Sequence, residues 1–273
     1  MKKNLTRREF IKKTGTAGAA VAAVGMFGGI PPAFAKKHTV HQVQWNHFIK
    51  EADVLERKMA VDFEKATGVK VTVETINGND IPARATAAVE SGTGPDIFQL
   101  MWNQAILFSG GLMDHTALVG ELIKGDMYPA LEGTSKVGDV YRGVPRFGVG
   151  NANAYRTDIF EDLGIKAPDT WEEYLAVGKK LKANGTPVGQ TLGHTFGDAP
   201  TFVYPLLWSF GGMETDEKQN VVINSKGTAA ALDFLREFWD AACDPGGLAW
   251  DDSSNNRAFF AETIAATLNG ASI

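Results

Sequence analysis

The spacing of apolar residues predicts an alternation of strands and helices from residue 40 onward. Leu55, Met59 and Phe63 recur every four positions, which predicts an amphipathic helix that stops at Gly68. The alternation of valine with polar residues over 69–74 predicts a strand with one buried face. Strands are predicted at 40–44, 69–74 and 96–100, and helices at 51–67 and from an Asp80 cap to residue 90. This order is typical of a parallel α/β sheet.

The second half of the chain repeats the α/β character. Thr170 and Glu173 form a capping-box pattern that predicts a helix ending before Gly185. Further helices are predicted at 199–210 and, from a Ser225 cap, at 225–242, with strands at 221–223 and 263–268. We therefore expect a first lobe at 36–145, then a hinge crossing and a second lobe at 146–273. The second lobe is expected to be unfinished, because the sequence stops just after a strand-like run.

The first thirty-five residues have the pattern of an export signal. Arg7-Arg8 is followed by Phe10, Ile11 and Lys12, then by an apolar, glycine- and alanine-rich run over 14–30. This predicts a twin-arginine signal peptide, and Ala33-Phe34-Ala35 predicts cleavage after Ala35. A membrane anchor is the alternative, although the run is short and weakly hydrophobic for a stable span. We expect a periplasmic protein.

Composition and charge exclude several functional classes. The 273 residues include 27 Lys and Arg against 32 Asp and Glu, and 44% are hydrophobic. Six of the basic residues lie in the first thirty-five positions, so the remaining chain is strongly acidic and does not favour nucleic-acid binding. Cys243 is alone, and the five histidines have no metal-ligand spacing. We expect no metal and no cofactor, and a buried, unreactive Cys243.

Aromatic and amide side chains cluster after the predicted strands. They are Trp45-Asn46-His47, Met101-Trp102-Asn103-Gln104, and Arg146-Phe147 with Asn151 and Asn153. In parallel sheets the loops at the carboxyl ends of the strands bind ligands. Aromatic faces stack on sugar rings while amides pair with hydroxyls, so these residues predict a carbohydrate site.

The alternative assignments of these residues remain open. Trp208 and Trp250 are further candidates for ligand contact, whereas Trp171 and Trp239 lie on helix stripes and are expected in the core. His47 is equally consistent with a solvated loop residue. Arg146 is equally consistent with a salt-bridged hinge residue.

The sequence gives no positive support for catalysis. It contains no G-x-S-x-G, P-loop or dinucleotide-binding pattern. Asp251 and Asp252 are adjacent, whereas glycosidase carboxyls face each other across a cleft. We expect a binding protein rather than an enzyme, with a secreted carbohydrate-active hydrolase as the alternative.

Several segments together resemble the extracellular solute-binding proteins of ABC importers, family 1. The matching segments are Trp45 to Phe48, Asp62 to Val71, Gly94 to Ile97, Tyr141 to Pro145, Tyr155 to Phe160, Pro168 to Glu173, Asn256 to Phe260, and Asn269-Gly270. The resemblance implies a two-lobed periplasmic-binding-protein fold of type II, incomplete at its C-terminus. It also implies a monomer that holds a sugar between the lobes and delivers it to a membrane permease driven by an ATPase.

The resemblance further implies a hinge, for which 144–151 is the candidate. A polyamine or phosphorylated polyol is the alternative solute in the same fold. Maltose-binding members place an aromatic residue where this chain has Ala271-Ser272, which does not favour a maltose-like site.

Overall fold

The computed structural model describes residues 39–123 and 127–273. Unit 1 ends at Phe147, and unit 2 comprises Gly148–Ile273. The predicted signal peptide and its cleavage site lie outside the described residues. Within the described ranges, no helix combines the length and apolar character needed to cross a membrane.

Unit 1 is built on a small parallel sheet. Its strands are β1 (Thr39–Trp45), β2 (Lys70–Ile76) and β3 (Ile97–Phe98), with two further short strands, β4 (Lys136–Val137) and β5 (Val140–Tyr141). Its helices are α1 (Lys50–Thr67), α2 (Ile81–Ser91), α3 (Gln104–Leu107), α4 (Thr116–Ile123) and α5 (Pro129–Ser135). The sheet order is β2-β1-β3, and both pairings are parallel, as the pattern predicts. β4 and β5 form a separate antiparallel pair.

Helix α1 forms where predicted but does not bury its large apolar residues. It ends at Gly68, whose φ of 73° is the left-handed cap conformation that glycine adopts most readily. Leu55, Met59 and Phe63 are each about half exposed. The less exposed side of the helix carries Glu56 together with alanines, so the periodicity located the helix correctly but not its buried face.

Two local predictions in unit 1 are wrong. Asp80 makes no side-chain capping bond to α2; instead Asn77 Oδ1 accepts the backbone N–H of Asn79 at 2.9 Å and opens a short 3₁₀ turn. The strand predicted at 96–100 shrinks to the two residues of β3 at the sheet edge, where Ile97 is half exposed. Backbone bonds from Asp96 N–H to the carbonyl of His41 at 2.8 Å and from Gln99 N–H to the carbonyl of Val43 at 2.9 Å still tie the flanking residues to β1.

Unit 2 contains the larger hydrophobic core. Its strands are β6 (Ala152–Tyr155) and β7 (Ala266–Asn269), and its helices are α6 (Thr157–Asp162), α7 (Trp171–Ala183), α8 (Asp198–Ser209), α9 (Lys226–Ala242) and α10 (Ser254–Phe260). A 3₁₀ helix spans Pro245–Ala249. β6 and β7 pair antiparallel. Val188 adds parallel bridges to Ala266 and Cys243, which widen this sheet.

Gln190 extends the same sheet with its side chain. Its Oε1 accepts the backbone N–H of Leu268 at 3.2 Å, and its Nε2 donates to the carbonyl of Leu268 at 3.5 Å. Gln190 is fully buried. The amide therefore pairs with β7 where a neighbouring strand would otherwise continue.

Helices α7 and α9 approach closely over the unit 2 core. A Cβ on Gly178 would lie 2.5 Å from the Cβ of Ala242, so only glycine permits this contact. Phe202, Phe238 and Leu181 are fully buried in this core. Trp171 and Trp239 pack against it, which confirms their assignment from the sequence.

The single cysteine and two helix caps also follow the sequence-based predictions, whereas one predicted strand does not. Cys243 is buried, and burial raises the pKa of its thiol to about 12. Thr170 and Ser225 accept the backbone N–H groups of Glu173 and Thr228 at 3.1 Å, as N-caps do. The strand predicted at 221–223 is wrong, because only an isolated bridge from Val221 to Thr215 forms there.

Candidate functional site

The loops that follow the three parallel strands of unit 1 meet at one edge of the sheet. A Cβ on Gly78, just after β2, would lie 3.4 Å from Met101 Cε and 3.6 Å from the ring of Trp45. The backbone N–H of Asn46 donates to the carbonyl of Ile76 at 2.8 Å. The residues predicted after β1 and β3 are thus brought together at the carboxyl edge, which is where parallel sheets bind ligands.

Trp45 is the partly buried centre of this edge. Its ring centroid lies 5.6 Å from that of His47 and 5.1 Å, edge-on, from that of Phe48. Its indole Nε1 is buried and has no hydrogen-bond partner among the described residues. The backbone N–H of His47 donates to Asp53 at 3.2 Å, while the side chain of Asn46 is exposed. An unpaired buried donor costs free energy, so a bound acceptor or water would stabilise this position.

Trp102 has the strained backbone of this edge. Its φ is +53°, a region that residues other than glycine seldom occupy, and 44% of its surface is exposed. Such strain persists only where the surroundings enforce it, and it is concentrated at functional sites. Asn103, next to it, is exposed.

Gln104 holds this loop in place, a role that the sequence did not indicate. Its Oε1 accepts the backbone N–H of Met101 at 2.9 Å, and the residue is almost completely buried. Its Nε2 is buried and lacks a partner within the described ranges. A glutamine after an aromatic residue was predicted only as a ligand group, because side-chain-to-backbone bonds of this kind have no sequence signature.

Arg146 lies at the end of unit 1 and is paired within that unit. Its Nη2 donates to Glu56 Oε2 at 2.7 Å, and its guanidinium lies 5.7 Å from the ring centroid of Phe147. Its charge is therefore compensated by a carboxylate of α1. This contact matches the salt-bridged alternative considered from the sequence.

In unit 2 three loops leave one edge of the sheet. Because Val188 is parallel to both Ala266 and Cys243, the segments 190–197, 244–252 and 270–273 emerge on the same side. Two of these loops pack against each other through glycine. A Cβ on Gly193 would overlap the carbonyl oxygen of Trp250, and one on Gly247 would overlap the carbonyl oxygen of Gln190.

The predicted residues of unit 2 lie on different elements. Asn151 is exposed beside Gly270, whose added Cβ would lie 3.5 Å from Asn151 Oδ1, and Trp250 is partly buried in the loop just described. Asn153 is partly buried, and both polar atoms of its amide lack partners among the residues described. Trp208 instead lies on α8.

The ring of Trp208 is already engaged. It is stacked on Tyr204 at 5.6 Å with an interplanar angle of 12°. Its Nε1 donates to Glu214 Oε2 at 3.1 Å. About half of the Trp208 surface remains exposed, so a face-on contact with a ligand is open to it.

A buried amide network closes the same edge of unit 2 and was missed from the sequence. Asn269 Nδ2 donates to Asn256 Oδ1 at 2.7 Å, and Asn256 Nδ2 donates to Ser272 Oγ at 2.9 Å. Asn255 Nδ2 lies 3.4 Å from Thr267 Oγ1. The segments 256–260 and 269–270, which carry part of the family resemblance, thus hold each other in place.

The adjacent aspartates Asp251 and Asp252 accept hydrogen bonds from different groups. Asp252 accepts the backbone N–H groups of Gly197 at 3.2 Å and Asp198 at 2.8 Å. Burial would raise the pKa of Asp251, but hydrogen bonds from Ser254 and Ser253 and the charge of Arg257 outweigh it and lower the pKa to about 2. The carboxylates therefore serve loop structure, and this arrangement gives no support to a catalytic pair.

Asp198 is the most perturbed carboxyl at this edge. Burial, reinforced by the nearby charge of Asp252, raises its pKa to about 7. Its Oδ2 is buried and has no hydrogen-bond partner in the part of the chain that the structure describes. The charge of this carboxyl therefore changes over a pH range that includes neutrality. No set of three His, Cys, Asp or Glu side chains suited to a metal ion is present among these residues.

A family model for bacterial extracellular solute-binding proteins matches residues 34–273. The chain belongs to this family. Proteins of known structure share its fold: T. maritima MalE3, solved with maltose, superimposes with a TM-score of 0.76 at 22% identity. This confirms the predicted two-lobed, periplasmic-binding-protein type of α/β fold. The match covers 86% of this chain and 61% of MalE3.

Two curated proteins are also similar in sequence. A probable amino-acid ABC transporter periplasmic-binding protein, y4oP of Sinorhizobium fredii, is 26% identical over 203 residues, or 70% of this chain and 47% of that protein. The diacetylchitobiose-binding protein DasA of Streptomyces coelicolor is 30% identical over 138 residues, or 48% of this chain and 32% of that protein. The chain spans about half or less of these two relatives.

Proposed function

We propose that this solute-binding protein captures a sugar or sugar derivative outside the cytoplasmic membrane for import by an ABC transporter. The observation that carries the proposal is the meeting of the loops after the parallel strands, where Trp45 and Met101 both lie beside Gly78 and Trp102 follows Met101 in the chain, in a member of this family. Two relatives support the class of solute, since one was solved with maltose and the other is described as binding diacetylchitobiose. The relevant partner is then a membrane permease driven by a cytoplasmic ATPase, and the protein is a periplasmic monomer without catalytic activity.

The edge of unit 1 has the chemistry that a sugar ring requires. The half-exposed indole of Trp102 offers an apolar face, and the exposed amides of Asn46 and Asn103 offer donors and acceptors beside it. The unpaired Nε1 of Trp45 adds a donor that a hydroxyl oxygen would satisfy. His47 contacts the ring of Trp45 and completes this group.

The edge of unit 2 supplies a second set of groups for the same proposal. Asn151 and Trp250 lie on loops at this edge. Trp208, near the C-terminal end of α8, offers an exposed aromatic face elsewhere in unit 2. A bound sugar that contacts residues of both units would stabilise whichever conformation presents both edges to it.

The ion pair of Arg146 with Glu56 bears on which other solutes could bind. A phosphorylated polyol would need a free cation, whereas Arg146 is paired with Glu56, so the structure favours a neutral solute. A polyamine or an amino acid is a candidate in the same fold, the latter because of the description of y4oP.

The proposal is tested by titrating the purified protein with a panel of solutes. Intrinsic tryptophan fluorescence and calorimetry would follow maltose, diacetylchitobiose, glutamine, putrescine and glycerol phosphate. We expect saturable binding of at least one saccharide, with the saccharide recovered intact. Exclusive binding of the amine, amino acid or phosphate would refute the carbohydrate assignment, and turnover of the saccharide would refute the binding role.

Trp102→Ala removes the exposed face and tests the site directly. Loss of roughly 100 Å² of apolar contact at about 25 cal/mol per Å² predicts a 30- to 150-fold weaker affinity for the saccharide bound. Trp45→Ala should weaken it as well, and Trp45→Phe separates lost donation from lost packing. Tyr128→Ala, which removes a highly exposed aromatic residue outside this edge, is the control and should leave affinity unchanged.

A further inference from the structure

The last residues of unit 1 are tied back to its first helix by one ion pair. Arg146 Nη2 lies 2.7 Å from Glu56 Oε2, although the two residues are ninety positions apart. The Glu56 side chain is 14% exposed, whereas that of Arg146 is 45% exposed. A carboxylate this buried needs a compensating charge, so the pair is more strongly constrained than the exposed ion pairs of α1.

The second oxygen of Glu56 is also engaged, which fixes the carboxylate to the sheet. Its Oε1 accepts Gln42 Nε2 at 3.1 Å, and the same Nε2 lies 2.8 Å from Gln44 Oε1. Gln44 is fully buried in β1. Through Glu56, Arg146 is therefore linked to a central strand of unit 1 rather than to a mobile surface side chain.

Arg146 is followed by one aromatic residue and then by a glycine-containing segment without regular secondary structure. The ring of Phe147, the final residue of unit 1, lies beside the guanidinium at 5.7 Å. Gly148, Val149 and Gly150 follow; they are exposed and lie in no helix or strand. Glycine restricts the backbone least, so rotation costs least at Gly148 and Gly150.

We propose that the Glu56–Arg146 pair anchors the unit 1 end of this connector, so that bending of the segment is confined to residues 148–150. Arg146 is then a positioning residue and not a ligand of the solute. The anchoring rests on contacts within unit 1 alone. The anchoring benefits solute capture because motion of the connector does not spread into the binding edge. Only this benefit rests on the proposed function.

Limited proteolysis with chymotrypsin, without any solute, measures the anchoring. Cleavage after Phe147 requires the surrounding segment to leave the surface and extend into the protease, which the ion pair opposes. Glu56→Gln and Arg146→Gln should each accelerate this cut by about three- to tenfold. The double variant should be no faster than either single variant, because both remove the same contact.

Three controls separate anchoring from general loosening. Arg84→Gln breaks the ion pair of Arg84 with Glu74, elsewhere in unit 1, and should leave the Phe147 cut unchanged. Cleavage after the exposed Leu107 serves as the reference rate within the same unit. Arg146→Lys keeps the charge opposite Glu56 and should remain within about twofold of the unaltered protein.

The proposal fails if both glutamine variants leave the Phe147 cut at its original rate, or if their effects multiply in the double variant. It also fails if cleavage at Leu107 and Phe147 rises equally, which would show loss of unit 1 as a whole. Because no solute is present, these outcomes do not depend on the carbohydrate proposal. If Arg146→Gln leaves cleavage unchanged but abolishes binding of glycerol phosphate, Arg146 is a solute ligand instead.

Discussion

The raised pKa of Asp198 predicts that unit 2 loses stability as the pH rises from about 4 to about 7. The folded protein holds the Asp198 proton up to a pKa of about 7, whereas the unfolded chain releases it near 3.8. A carboxyl whose pKa is raised by folding stabilises fully below the unfolded value, and that contribution is lost as the pH approaches the folded value. Asp198→Asn replaces the carboxyl by a neutral group of nearly the same shape and should abolish this dependence.

The size of the effect follows from the two pKa values. Each pKa unit corresponds to about 1.4 kcal/mol, so the full cost of ionising Asp198 in the folded state has an upper limit of about 4 kcal/mol. Part of that cost is already present at pH 5. Between pH 5 and pH 8 the gain of Asp198→Asn over the unaltered protein should therefore grow by about 2–3 kcal/mol.

Urea unfolding at pH 5, 6, 7 and 8, followed by circular dichroism, measures this difference in the transition of unit 2. Asp216→Asn is the matched control: hydrogen bonds from Asn220 lower the pKa of that exposed carboxyl, so its loss should not stabilise the protein at pH 8. A constant difference between Asp198→Asn and the unaltered protein across this range would show that Asp198 is already ionised at pH 5. The account of its burial would then be wrong.

Three further predictions concern glycines, of which Gly178 and Gly193 lie at close contacts and Gly120 does not. Gly178→Ala should destabilise unit 2 by about 1–3 kcal/mol in urea titrations, because the new methyl group overlaps Ala242. Gly120→Ala, in α4 with open space around it, should instead stabilise unit 1 by about 0.5–1 kcal/mol; equal effects at both sites would contradict the packing described. Gly193→Ala should force the loop away from Trp250 and lower the melting temperature, and a variant with unaltered melting would contradict the loop packing.

The sequence predicted elements whose signals are local. The four-residue period of α1, its Gly68 stop and the Thr170 and Ser225 caps all depend on neighbouring residues, and the structure confirms each of them. The parallel order of the first sheet followed from strand–helix alternation. Family membership followed from several weak segments in the correct order.

What the sequence did not predict depends on residues far apart in the chain. The half-exposed Leu55 stripe could not be foreseen, because periodicity identifies an apolar face without showing what covers it. The partner of Arg146 is ninety positions away, and a single sequence contains no record of that contact. The predictions for Trp45, Trp102, Asn151 and Trp250 as ligand contacts stay predictions until a solute is bound.

The side-chain amide of Gln190 takes the place of a backbone segment beside β7 in unit 2. By supplying one acceptor and one donor to Leu268, a single side chain satisfies the rim of β7 that another extended segment would otherwise have to cover. The polypeptide that follows then pairs with a different loop, since the backbone N–H of Leu192 donates to the carbonyl of Gly247 at 2.9 Å. A glutamate at this position would keep the acceptor but forfeit the donor, so an isosteric exchange would expose how much the rim depends on one nitrogen.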